Sequence, residues 1–226
     1  MRRAIGVLWH PRRTMIDVVA RPTFAAAWVS ILGVMAICAF VLLSTAVGRQ
    51  ALIDERVRVV EALGGRMDDA AYAALQTNPP WLVYLTSGGR LLLTPEVTLL
   101  VAAGLMALAA LDGVKVRYGV VLAITVHSSV VLALQQVVAT PLHYVRESLT
   151  SPTHIAGLLP MLDDGSLSAR WLGSIDVFGL WWVWLLAVGL AAVTGRPARR
   201  YLARLLMAYV GVAAMVAAVF AVLGAR

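Results

Sequence analysis

The sequence predicts an all-α polytopic membrane protein, a bundle of five transmembrane helices with short amphipathic helices in its two long links. Of its 226 residues, 61% are apolar and 14% charged. An ordinary soluble domain carries roughly 25% charged residues, so this chain lacks the polar surface needed to cover a globule in water. Five apolar segments approach or reach the about 20 residues that a helix needs to cross a bilayer core about 30 Å thick. Basic residues gather beside those segments. These observations argue against a soluble enzyme, a disordered chain and a secreted disulfide scaffold.

The elements follow in order. Residues 1–23 form a basic tail in which Arg2, Arg3, Arg12, Arg13 and Arg21 alternate with Ile5, Leu8, Trp9, Met15, Ile16 and Val19. A basic amphipathic segment of this kind binds anionic lipid headgroups. Its apolar stretch 4–9 is too short for the core of a signal peptide, so the first long apolar run is read as a retained helix. That first span, 24–47, is uncharged. Its Cys38, the only cysteine, can form no intramolecular disulfide and packs as a small apolar residue.

The outer link 48–93 places Ile53, Val57 and Val60 at helical spacing, an amphipathic helix continuing from span one until Gly64-Gly65 ends it. Asp68 then caps a short helix over 69–76, which Pro79-Pro80 stops. Span two, 94–111, opens with Thr94-Pro95-Glu96, read as N-cap, first-turn proline and acidic first turn. The short connection Asp112–Arg117 makes a hairpin with span three, 118–139, which Thr140-Pro141 ends. In the link 140–174, the apolar stretch 155–162 is too short to cross and is expected to lie in the interface. Span four, 175–194, ends at Gly195-Arg196-Pro197, and span five runs 201–223.

Orientation follows from basic-residue asymmetry. The tail and the links 112–117 and 195–204 carry eleven basic residues within a short length of chain, against eight spread through the other links and the C-terminus. This puts the N-terminus in the cytoplasm and the C-terminus outside. The formal charge of +7 is therefore topological, with no nucleic-acid partner expected.

No metalloprotease, nucleophile-elbow or phosphate-loop motif is present, and no catalytic, cofactor or metal residue is assigned. His10, His127, His143 and His154 lack tight ligand spacing. His143 and His154 share a link with Asp163 and Asp164, which as loop groups are read as solvated. Polar groups inside a span are functional candidates because burying them is costly. Span three carries Thr125, His127, Ser128, Ser129, Gln135 and Gln136. At helical spacing Thr125, Ser129 and Gln136 share a face, with Ser128 and Gln135 beside it and His127 apart. Interhelical hydrogen bonding and a polar path at mid-membrane are the two readings of that arc. Asp176 opens span four, as a first-turn residue or as partner to a polar group. On span five, Gly211, Ala214 and Ala218 form a small-residue face suited to close helix packing, as do Ala213, Ala217 and Ala221. Trp181, Trp182 and Trp184 cluster early in span four, where interfacial placement and packing between helices both fit. No internal repeat divides the spans into similar halves, which disfavours an inverted-repeat transporter.

Asp176-Val177-Phe178-Gly179-Leu180-Trp181, followed by Trp184 through Ala191 with Gly189-Leu190, resembles the fourth-span signature of the Yip family of integral membrane proteins. Asp176, Phe178, Trp181 and Gly189 carry the resemblance. The prolines 11 and 22 before span one, a third span bearing Ser and Gln, and Pro141 after it agree with it. In eukaryotic members the resemblance implies binding of Rab-type GTPases and a part in vesicle trafficking. The short N-terminal region and the long outer link resemble the bacterial branch instead. The expected function is a non-enzymatic scaffold or partner-binding component of a bacterial cytoplasmic membrane, with a membrane-protein partner or a second copy of itself. The alternative is a transporter or channel-like subunit using the polar face of span three.

Overall fold

The computed structural model describes residues 2–77, 80–155, 171–173 and 175–223. Its helices are α1 Arg2–Trp9, α2 Pro11–Ala20, α3 Ala25–Ser44, α4 Ala46–Ala62, α5 Asp69–Thr77, α6 Pro80–Leu111, α7 Tyr118–Ser128, α8 Val130–Arg146, α9 Val177–Thr194 and α10 Ala198–Leu223. Among the described residues five stretches are long and apolar enough to cross a membrane: Ala25–Ser44, Leu93–Leu111, Tyr118–Arg146, Val177–Thr194 and Ala198–Val219. The protein is an all-α, multi-pass membrane protein. The apolar stretch 155–162 lies almost wholly outside the described residues.

The helices depart from the sequence expectation where hydroxyl side chains take over backbone duties. Span one and the amphipathic helix after it are two helices, separated at Thr45. Thr45 Oγ1 accepts from the Gly48 N–H at 2.9 Å and donates to the Leu42 carbonyl at 2.7 Å. Arg49 donates to the Leu43 and Ser44 carbonyls. One threonine thus caps α4 while an arginine satisfies the last carbonyls of α3. The end of α4 follows expectation: Gly64, at φ 79°, donates to Glu61 and Gly65 to Val60, a left-handed glycine cap. Asp68 Oδ1 caps α5 through the Ala71 N–H at 2.7 Å.

Two prolines expected at helix ends lie inside helices. Helix α6 begins at Pro80 and runs through Pro95, so Thr94 is not its N-cap. Helix α8 runs through Pro141 to Arg146. A proline lacks the N–H that would bond four residues back and crowds that carbonyl. Membrane helices accommodate this when neighbouring Ser or Thr hydroxyls take up carbonyls near the break. Here Thr98 donates to Thr94 and Thr140 to Gln136. The third span breaks at Ser129 instead, where α7 gives way to α8.

The chain divides into two compact units. The first comprises Met1–Met35, Arg90–Gln135 and Phe178–Tyr209. Its core joins Leu105 of α6, Val121, Ile124 and Val126 of α7, Leu185, Leu186 and Leu190 of α9, and Tyr201 of α10. The tail belongs to this core: Val7, Met15 and Val18 are fully buried, and α1 and α2 pack on α7. Trp9 and Ile16 stay exposed beside the tail's arginines. The amphipathic tail therefore serves two surfaces, its own bundle and whatever faces Trp9.

The second unit comprises Ala36–Gly89, Gln136–Val177 and Val210–Arg226. Polar contacts tie its pieces together. Gln50 donates to Asp54 and to the Tyr72 hydroxyl, both at 2.9 Å, joining α4 to α5. Arg58 reaches Glu55 and the Thr150 hydroxyl. Phe40 stacks on Tyr84 with centroids 5.4 Å apart.

Candidate functional site

Asp176 sits immediately before α9, within the second unit. Its carboxylate accepts from Ser151 Oγ at 2.8 Å and Thr153 Oγ1 at 2.5 Å. The backbone reinforces the contact: Ile155 N donates to Ile175 O and Val177 N to Thr153 O, an isolated antiparallel bridge between His154 and Asp176. Hydrogen bonds to an ionised acceptor are the stronger kind. Through these bonds Asp176 ties the link after α8 to the start of α9.

From Phe178 onward the segment belongs to the first unit. Phe178 and Trp181 lie with ring centroids 6.3 Å apart. A Cβ placed on Gly189 would overlap Ile124 of α7, and one on Gly179 would overlap the Tyr209 hydroxyl of α10. Both glycines are there because neighbouring side chains occupy the space a methyl group would need, as in small-residue helix packing. The Trp182 indole N–H is buried in this region with no hydrogen-bond partner, as is that of Trp28 on α3.

The polar arc of the third span is buried at its α7 end. Thr125, His127, Ser128 and Ser129 are all buried. Thr125 Oγ1 donates to Val121 O at 2.9 Å, Ser129 Oγ to Thr125 O at 3.0 Å, and His127 Nδ1 meets Ala123 O at 2.8 Å, which assigns the ring proton to that nitrogen. Each bonds the carbonyl four residues back on its own helix. This back-bonding satisfies a polar group without a partner and bends helices, which accounts for the break at Ser129. Ser128 Oγ is buried without a partner. Gln135 and Gln136 are half-buried on α8. Thr125, His127, Ser129 and Gln135 belong to the first unit, Gln136 and Asp176 to the second.

Sequence reasoning missed one charged cluster. Asp112, between α6 and α7, accepts from Arg200 Nη2 at 2.7 Å and Arg204 Nη1 at 3.0 Å through one oxygen, and its side chain is 1% exposed. Its other oxygen and the hydroxyl of fully buried Tyr201 are both without a hydrogen bond in ordinary geometry. Burial pushes the Asp112 carboxyl up, but the nearby Tyr201 hydroxyl, Arg204 and Arg200 outweigh it and hold the group below the usual carboxylate range. The cluster ties the α6–α7 link to the start of α10. The signal available beforehand was a lone acid in a link otherwise carrying Lys115 and Arg117. Of the other acidic candidates, Asp163 and Asp164 lie outside the described residues.

On α10, Gly211, Ala214 and Ala218 are exposed, while Ala213 and Ala217 are buried. A Cβ on Gly211 would meet open space.

A family model for the Yip1 domain matches residues 5–221. No curated protein and no solved structure matches the chain.

Proposed function

The chain belongs to the Yip1 domain family, and from that premise we propose that it is a non-enzymatic scaffold or partner-binding component of a bacterial cytoplasmic membrane. One observation carries this reading: Gly211, Ala214 and Ala218 stand exposed on one face of α10. Small residues let helix backbones approach closely, which lipid tails do not require. The face suits a transmembrane helix of a partner or of a second copy. The polar arc supports the same reading over a conduit, because Thr125, His127 and Ser129 spend their hydrogen bonds on carbonyls four residues back in the same span.

The orientation that accompanies this function has the N-terminus, the 112–117 link and the start of α10 on the cytoplasmic side, following the excess of Arg and Lys there. The tail then meets anionic headgroups through Arg12, Arg13 and exposed Trp9. Extraction of native membrane into polymer nanodiscs, followed by mass measurement, tests the assignment. A particle holding two copies, or one copy with a second membrane protein, is expected. Recovery of single copies alone would overturn it.

A further inference from the structure

The first unit holds a groove of about 450 Å³ between α2, the last turns of α9 and the start of α10. Its wall is apolar: Ile16, Val188, Ala191, Ala192, Pro197 and Ala198. Two arginines, Arg12 and Arg199, complete the lining. Among the described residues neither forms an ion pair, whereas Arg3, Arg200 and Arg204 are each paired with a carboxylate. Without a carboxylate of the bundle to neutralise them, Arg12 and Arg199 can meet an outside anion.

We propose that this groove is a binding site for one anionic phospholipid, its phosphate between Arg12 and Arg199 and its glycerol end along Val188, Ala191 and Ala192. Two features select an amphiphile. Val188 lies six residues before the end of α9 at Thr194, so at 1.5 Å per residue the apolar wall descends about 9 Å into the span. That is the depth at which a lipid exchanges headgroup for acyl chain, with the chains continuing into the bilayer. Above the wall, guanidinium groups supply planar, bidentate donors matched to phosphate oxygens. The volume falls within the ~300–1,000 Å³ of small-molecule sites, enough for the headgroup end alone.

The proposal rests on α9 and α10 crossing a membrane, and it is independent of partner binding at Gly211, Ala214 and Ala218. It goes beyond general attraction of a basic tail to a charged surface, because it assigns a stoichiometry and a second arginine from a distant part of the chain.

Native mass spectrometry of the purified full chain, offered equal amounts of phosphatidylglycerol and phosphatidylcholine, tests it. One phosphatidylglycerol retained per chain is expected. The double variant R12Q/R199Q should lose that retention about tenfold, since hydrogen bonds to charged groups are worth at least that factor. The pair R117Q/R196Q makes the same charge change at exposed arginines outside both the tail and the groove lining and should retain the lipid as the parent does. Ala192→Phe, which fills the apolar wall without touching charge, should lose it as well and keeps the test decisive if the arginine variant does not fold. Equal loss in both arginine pairs would reduce the effect to net charge and overturn the site. Thermal stabilisation by inorganic phosphate equal to that by phosphatidylglycerol would also overturn it, by showing a free-phosphate site. Undiminished retention in R12Q/R199Q would do the same.

Discussion

Around α7 and α9 the first unit is held by apolar side chains packed so closely that Gly189 has no room for a methyl group beside Ile124. Around α4, α5 and the 147–155 link, the second unit is held by side-chain hydrogen bonds: Gln50 to Tyr72, Arg58 to Thr150, Ser151 and Thr153 to Asp176. The difference reflects composition. Helices α7 and α9 contain no Asp, Glu, Lys or Arg, whereas α4 carries Arg49, Asp54, Glu55, Arg56, Arg58 and Glu61. Packing energy depends on fit, so the first unit should fail through excess volume. The polar ties depend on satisfied acceptors, so the second should fail locally when one acceptor is removed.

The largest effect expected is therefore Gly189→Val. It drives two methyl groups and a Cβ into Ile124, and overpacking of this kind costs about 1–3 kcal/mol, with backbone shifts adding more. Chemical unfolding in detergent reads it, and α7 and α9 should lose amide protection together. Next comes Asp176→Ala, which strands the Ser151 and Thr153 hydroxyls; both are only half-buried, so water replaces much of the lost acceptor and the net cost is about 1 kcal/mol. Hydrogen exchange should rise across 150–155 while α7 stays protected. A rise in both regions would break the contrast.

A smaller, opposite effect is expected at Glu147, which sits at φ 51° where α8 ends, with Ser148 N donating to His143 O. Glu147→Gly relieves left-handed strain and should stabilise this end by about 0.5–1 kcal/mol. The smallest effect is the acid limb of the first unit. The Asp112 carboxyl is held below its ordinary value in the folded protein, so it contributes stability above the unfolded value of about 3.9 that is lost as pH falls through the lower folded value. Asp112→Asn should flatten that fall in a melting-temperature series below about pH 4. Because Arg200 and Arg204 are partly exposed, added salt should flatten it too.

Much of the fold was legible because hydropathy and length decide what crosses a bilayer, and the breaks at Gly64 and Gly195 carry their own glycine signal. The breaks at Thr45 and Ser129 were not legible: a single hydroxyl in an apolar run leaves the hydropathy unchanged, yet it caps or bends a helix. Pro95 and Pro141 misled for the converse reason, since nearby threonines at 98 and 140 bond carbonyls beside them and the helices continue. At the candidate sites, Asp176 and Gly189 were readable through the family motif, although its geometry was not. Asp112 was invisible because its partners lie about ninety residues away in sequence. The groove between Arg12 and Arg199 likewise joins two distant segments.

Partner binding through α10 is tested most directly by single cysteines along that helix, in a chain whose own Cys38 is replaced by Ser, labelled with a thiol-reactive photocrosslinker and irradiated in native membranes. Gly211→Cys, Ala214→Cys and Ala218→Cys should form a covalent adduct with a second copy or with another membrane protein, while Ala213→Cys and Ala217→Cys, which are buried, should not. Monomer at all five positions, or adducts without regard to face, would contradict the account.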